Sequence, residues 1–231
     1  MSRSSIVLLA GLLGCEDVRS GDVMTNGMWA DVAFTSDGTG ASQAAAVLRV
    51  GGVASNTYVD LEGDDQLTAT LIDASVPMVE EELGEIHRYV ASFDTAPVGD
   101  PVVVAFLRTI DEGAPQTIAE LPPEFTLDPP VLTFARSTED LVLSWAPASS
   151  ETMRIEIGGD CVYPYIHDVD DAGSYTLPAG TLDPLDDAGP GTCALDVTVR
   201  RLHPGTIDPG FGQGGTSVGV QVRTTEVAST P

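Results

Sequence analysis

Two glycine-framed stretches near the end of the chain spell motifs that carry chemistry elsewhere. Gly215-Thr216-Ser217-Val218-Gly219 fits G-x-S-x-G, the turn that lifts a nucleophilic serine above a hydrolase sheet. Gly210-Phe211-Gly212-Gln213-Gly214-Gly215 fits G-x-G-x-x-G, the turn that brings backbone amides against a pyrophosphate. Neither has the surroundings its chemistry needs. The serine motif requires a strand before it, a helix after it and a histidine later in the chain, yet Ser217 opens a strand-patterned run and the last histidine, His203, precedes it. The second motif lacks the helix whose N-terminus would face the phosphates, so it is expected to be a turn.

Carboxylates are the other candidates, because calcium takes several oxygens converging from one or two loops. "HDVDDAG" offers Asp168, Asp170 and Asp171, and "LDPLDDAG" offers Asp183, Asp186 and Asp187. Neither follows the EF-hand spacing. The sequence therefore keeps Asp168, Asp170 and Asp171 as calcium candidates against the alternative of a solvated loop, and assigns no metal site or cofactor. His87, His167 and His203 share no spacing suited to zinc. The glutamates of "VEEELGE" lie in a polar run that would not raise a carboxyl pKa, and are expected on a solvated face. The chemistry-bearing residues thus point away from catalysis, and an enzyme is not expected.

These residues must be positioned by elements that the pattern makes almost entirely β. Period-2 alternation recurs in "WADVAF", "AAVLRV", "TYVDLE", "QLTATLI", "HRYVASF" and "VVVAFLR", with "TIAEL" closing the set. Val32, Phe34, Leu48, Val59, Leu67, Phe93, Val104 and Phe106 are expected inward. Only "PMVEEELGE" is expected to make a helical turn, ended by Gly84. A break at "ELPPEFTLDPP" follows, since four prolines cannot pair in a central strand. Beyond it come "LVLSW", "MRIEIG", "SYTLP", "CALDVTVRR" and "SVGVQVRTT", with Trp145, Ile155, Ile157, Leu195, Val197, Val199, Val218, Val220 and Val222 inward and Gln221 and Arg223 outward. The expected architecture is all-β, two antiparallel sandwiches: 29–121, a linker at 122–130, and 131–231. Between the last two strands, "HPGTIDPGFGQGG" is placed where sandwiches put recognition loops, so His203, Ile207 and Phe211 are candidate ligand contacts; the alternative is a loop folded back with Phe211 capping a core.

Composition sets the outer bounds. There are 35 acidic residues against ten basic ones, all arginine, for a net charge of −25. Nucleic acid is excluded as a partner, because neutralising phosphates needs a basic patch. The front of the chain has Arg3, then the apolar run Ile6–Gly14, then Cys15 and two acidic residues, the layout of an export signal. Nine helical residues rise about 13.5 Å, too short for a hydrocarbon core of about 30 Å.

Leu12-Leu13-Gly14-Cys15 resembles the lipobox of bacterial lipoprotein signal peptides, with Leu13 where a smaller residue is usual. The resemblance implies that 1–14 is removed, that Cys15 becomes a lipidated first residue, and that 15–28 is a tether to a membrane, the outer membrane or cell surface before the inner one. An ordinary secretory signal is the alternative. With Cys15 set aside, export leaves Cys161 and Cys193 to pair in an oxidising compartment. "DLVLSWAPAS" resembles the second strand of a fibronectin type III-like module, whose tryptophan packs in the core. Taken with "AAAVLRVGG", "SYTLPAGTL" and "GTIDPGFGQGG", the chain is similar to a family of lipoproteins from myxobacterial-type genomes that has no defined function. The expectation is a membrane-anchored, non-catalytic binding or structural module with a protein or glycan ligand; the rivals are a carbohydrate-active enzyme or accessory domain and a calcium-dependent adhesin.

Overall fold

The structure is a computed structural model that describes residues 17–84, 86–186 and 191–231. Cys15 and Asp187 lie outside the described residues. In chain order the strands are β1 (Asp17–Arg19), β2 (Met28–Ser36), β3 (Ser42–Val50), β4 (Thr57–Asp60), β5 (Gln66–Leu71), β6 (Ala74–Pro77), β7 (Val79–Leu83), β8 (Ile86–Phe93), β9 (Pro101–Leu107) and β10 (Ala114–Glu120). They continue as β11 (Thr126–Leu127), β12 (Thr133–Ala135), β13 (Leu141–Ala146), β14 (Thr152–Gly159), β15 (Val162–Asp170), β16 (Ser174–Leu177), β17 (Cys193–Pro204) and β18 (Gly215–Thr230). Two short 3₁₀ turns are the only helical elements among the described residues.

Alternation drives the layering. β2 alternates buried and half-buried residues along its whole length, and β14 and β17 do the same over most of theirs. Such strands bury one face, and two sheets must then close over it. One eleven-stranded sheet has the order β1-β4-β3-β2-β18-β17-β14-β15, with β8 and β7 added beside β3 and β12 beside β18. The sheet β10-β9-β5-β6 encloses with it a first core around Phe34, Leu48, Val104 and Phe106. The sheet β11-β13-β16 encloses with it a second core around Leu143, Trp145, Ile155 and Val197. Cys161, in the β14–β15 turn, is bonded to Cys193 at the start of β17, with Cα atoms 6.3 Å apart. The disulfide therefore staples neighbouring strands at one end of the second unit.

Several expectations are corrected. The stretch "PMVEEELGE" is strand, not helix: β7 pairs antiparallel with β8 from Val79↔Val90 onward, and Gly84, at φ +66°, makes the turn. A ladder with β8 satisfies more backbone groups than one isolated helical turn. The segment 17–28 is not a free tether. β1 lies parallel to β4, Ser20 and Thr25 are buried, and the fully buried Arg108 side chain donates to the Ser20 and Val23 carbonyls and the Thr25 hydroxyl while pairing with Asp65 and Asp111. A buried guanidinium has five donors to satisfy, and the incoming chain supplies acceptors.

The sheets are not purely antiparallel, because β18 runs parallel to both β2 and β12. Nor do the two units divide at 122–130 as beads on a string. β18 is 16 residues long, and its first seven residues pair with β2 of the first unit while later ones pair with β12 of the second. Its inward face differs too: Ser217, Gly219 and Gln221 are buried, while Val218 and Val222 are only half-buried. β10 crosses over this part of β18 so closely that a Cβ on Gly219 would lie 1.5 Å from the Glu120 carbonyl oxygen, so only glycine fits at that position.

Candidate functional site

Where the two units meet, period-2 alternation along β17 carries Leu195, Val197, Val199 and then Arg201 to the interior. A buried arginine must be paired and hydrogen-bonded. Arg201 meets Asp171 at 2.7 Å, both side chains fully buried, and donates to the carbonyls of Pro123 (2.9 Å), Glu124 (3.1 Å) and Pro147 (2.6 Å). Asp171 in turn accepts from the Trp145 indole at 2.6 Å and from the Ser149 amide and hydroxyl at 2.9 and 2.6 Å. The proline-rich connection is thus clamped from inside.

Phe125, just beyond those prolines, has two guanidinium groups against its ring, Arg201 at 4.9 Å and Arg223 at 5.0 Å from its centroid. Arg223 borders a cleft of about 580 Å³ between the units, whose lining includes Gly38, Glu124, Leu127, Asp128 and Pro147. Gly38 has φ +85°, which favours glycine, and a Cβ there would lie 2.7 Å from the Arg223 guanidinium, which would have to swing aside. Arg223 donates to the Gln221 side chain and the Val222 carbonyl. Among the described residues it joins no ion pair, in a chain where most arginines do. Burial pushes its pKa down from the ordinary value, opposed by the negative charges of Glu124 and Asp37. A planar, unpaired guanidinium at a cleft mouth can accept a carboxylate, sulfate or phosphate in bidentate fashion.

The calcium candidates are dispersed. "HDVD" is the end of β15 and not a loop, and Asp168 is held by Arg154 at 2.7 and 2.8 Å. Asp170 is exposed, and Asp171 belongs to the Arg201 clamp. Asp168 and Asp170, two apart, share the outer face of β15, but Asp168 is held by Arg154, and Asp171, just past the strand, turns inward to Arg201, so the three carboxylates do not converge. The candidate recognition loop takes the folded-back form. Phe211 is buried in the first core and stacks on Phe106 with centroids 6.1 Å apart. Ile207 packs against the same core, and the Asp208 carboxylate accepts from the Gln116 and Gly210 amides. His203 pairs with Glu151 of the second unit at 2.9 Å. The loop thus folds back with Phe211 in the core, the alternative the sequence left open, while the His203 side chain stays 37% exposed. Ser217 donates its hydroxyl to the Ile118 carbonyl at 2.7 Å within β18, as expected of a strand residue.

The clamp has a pH signature. Burial raises the Asp171 pKa, but the hydrogen bonds from Ser149 and Trp145 and the charge of Arg201 outweigh it, so the net value is lowered. A carboxyl with a lowered folded-state pKa stabilises the fold above its unfolded value of about 3.9, and that contribution is lost as pH falls through the folded value. We expect Asp171→Asn to flatten the loss of melting temperature in the acid limb below about pH 4. An acid limb identical to that of the unmutated chain would remove Asp171 as its source.

Sequence spacing missed a second constellation. Asp60 ends β4, Glu80 lies in β7 and His87 in β8, and one ligand atom from each falls within 4.8 Å of the others. Asp17 of β1 completes the group, its carboxylate 3.3 Å from His87 Nε2, while Glu80 faces Nδ1. Beneath it the buried Tyr89 hydroxyl accepts from the Leu61 amide and donates to the Val59 carbonyl, tying β8 to β4. These residues come from separate strands, so no local pattern could join them. Arg223 was likewise expected to point outward, with nothing in its neighbours to signal a cleft. No family model matches the chain, and no curated protein matches it either.

Proposed function

We propose that this chain is an exported lipoprotein, anchored to a bacterial membrane through Cys15, whose two immunoglobulin- or fibronectin type III-like units act together as a non-catalytic binding module. The Cys161–Cys193 disulfide supports export, because such bonds persist in oxidising compartments. The apolar run ending at Leu12-Leu13-Gly14-Cys15 supports the anchor. The observation that carries the binding assignment is Arg223, unpaired at the rim of the inter-unit cleft. Its chemistry suits an acidic group on a glycan or a peptide. The adhesin reading is weakened because Asp168 and Asp171 are already engaged by Arg154 and Arg201.

Two variants test the two halves of the reading. Cys15→Ala is expected to move the protein from the membrane to the soluble fraction; membrane retention with an unmodified Cys15 would overturn the anchor. On arrays of acidic glycans and carboxylate-bearing peptides, Arg223→Gln is expected to lower binding about tenfold or more, the scale of one charge-assisted contact. Undiminished binding by that variant would remove the cleft from the function.

A further inference from the structure

The group around His87 poses a charge problem. The imidazole is half-enclosed, its side chain 15% exposed, and a carboxylate faces each of its nitrogens: Asp17 at Nε2 and Glu80 at Nδ1. A neutral ring has one N–H. If Asp17 accepts it from Nε2, the Nδ1 lone pair is aimed at the Glu80 carboxylate, with the Asp60 carboxylate close by. Asp60 accepts no side-chain hydrogen bond and joins no ion pair among the described residues, and the ion pair formed by Arg19, its neighbour across the β1–β4 ladder, is with Glu62 at 3.8 Å. Two carboxylates and an imidazole lone pair converging this closely form an arrangement that a cation would stabilise. A proton on Nδ1 answers only the Glu80–His87 contact and leaves Asp60 unbalanced.

We propose that Asp60, Glu80 and His87 bind a divalent transition-metal ion of the zinc class, with Asp17 orienting the imidazole from behind. One nitrogen and two carboxylate oxygens, with Glu80 exposed to solvent, make a donor set that suits Zn²⁺. Ca²⁺ fits poorly, since it takes six to eight oxygens and the site offers an imidazole. Metal-ligating histidines nearly always donate their second N–H to a carboxylate or carbonyl, the position Asp17 occupies. The ion would join three elements at once: β4, the β7–β8 hairpin and, through Asp17, β1. It would thereby fasten the strand at the start of the described chain to the body of the first unit. This site is separate from the Arg223 cleft and does not depend on the function proposed for it.

Titration calorimetry of the full chain with ZnCl₂ near neutral pH is expected to show one saturable step at 1:1, above the weak background of an acidic surface. The same additions should raise the melting temperature. CaCl₂ at equal concentration should not compete. His87→Asn should abolish the step, and Asp17→Asn should weaken it about 10- to 100-fold, the usual effect of losing an orienting carboxylate. Asp60→Asn removes a carboxylate with no protein partner, so the metal-free melting temperature should hold or rise while the zinc-induced rise disappears; this variant carries the test if His87→Asn folds poorly. Asp170→Asn, on the second unit, should change nothing. Absence of a 1:1 step, or a step that survives both Asp60→Asn and His87→Asn, would overturn the proposal and leave His87 as a protonated bridge between two carboxylates.

Discussion

Replacing Arg201 by methionine is expected to destabilise the protein by about 3–5 kcal/mol, because it strands the fully buried Asp171 carboxylate without its counter-charge. For a chain of this size that corresponds to a fall in melting temperature of about 6–20 °C. The effect has two separable parts. One is the uncompensated charge, which Asp171→Asn in the same molecule would remove. The other is the loss of donors to the Pro123, Glu124 and Pro147 carbonyls, which no change at Asp171 restores. The double variant Arg201→Met/Asp171→Asn should therefore recover part of the lost stability and not all of it. Strict additivity of the two single effects would show that the residues do not act as a pair, and a melting temperature unchanged by Arg201→Met would refute the clamp. The prediction matters for function because the clamp holds Phe125, and Phe125 supports Arg223 at the cleft.

Phe211→Ala should cost about 3–5 kcal/mol, the usual range for removing a buried phenylalanine. The reason is that the loop between β17 and β18 is part of the first unit's core and not a display surface. Phe211 stacks on Phe106, and Asp208 caps amides on both sides of the contact. Since β18 then runs on into the second unit, loosening the loop should also loosen the join. Differential scanning calorimetry is the measurement: the unmutated chain should melt in one transition, and Phe211→Ala should lower the melting temperature of the first unit and split the transition. A variant that melts like the unmutated protein would return the loop to the surface and revive it as a recognition element.

The part of this structure legible in the residue order is the part governed by neighbours along the chain. Alternation of apolar and polar residues placed most strands, and the prolines near 122–130 marked where one core ends and the next begins, since Leu121 belongs to the first and Phe125 to the second. The cysteine pair was also readable, as the two left once Cys15 is set aside, and so was the tryptophan of β13, because period-2 burial acts locally. Alternation misled in β18, where Gln221, expected outward, is fully buried, whereas in β17 it carried Arg201 inward in phase with Val197 and Val199. It misled again at "VEEEL", where pairing with β8 overrode a helical spacing.

What the tertiary structure alone decided is which distant residues meet. Asp171 finds Arg201 across 30 positions, Phe211 finds Phe106 across 105, and Asp60, Glu80 and His87 converge from three strands. Local propensity contains no term for such meetings. They follow from how strands are ordered in a sheet and how one sheet covers another, and for this chain the deciding event is the parallel seating of β18 against β2, which draws the C-terminal hairpin into the first unit.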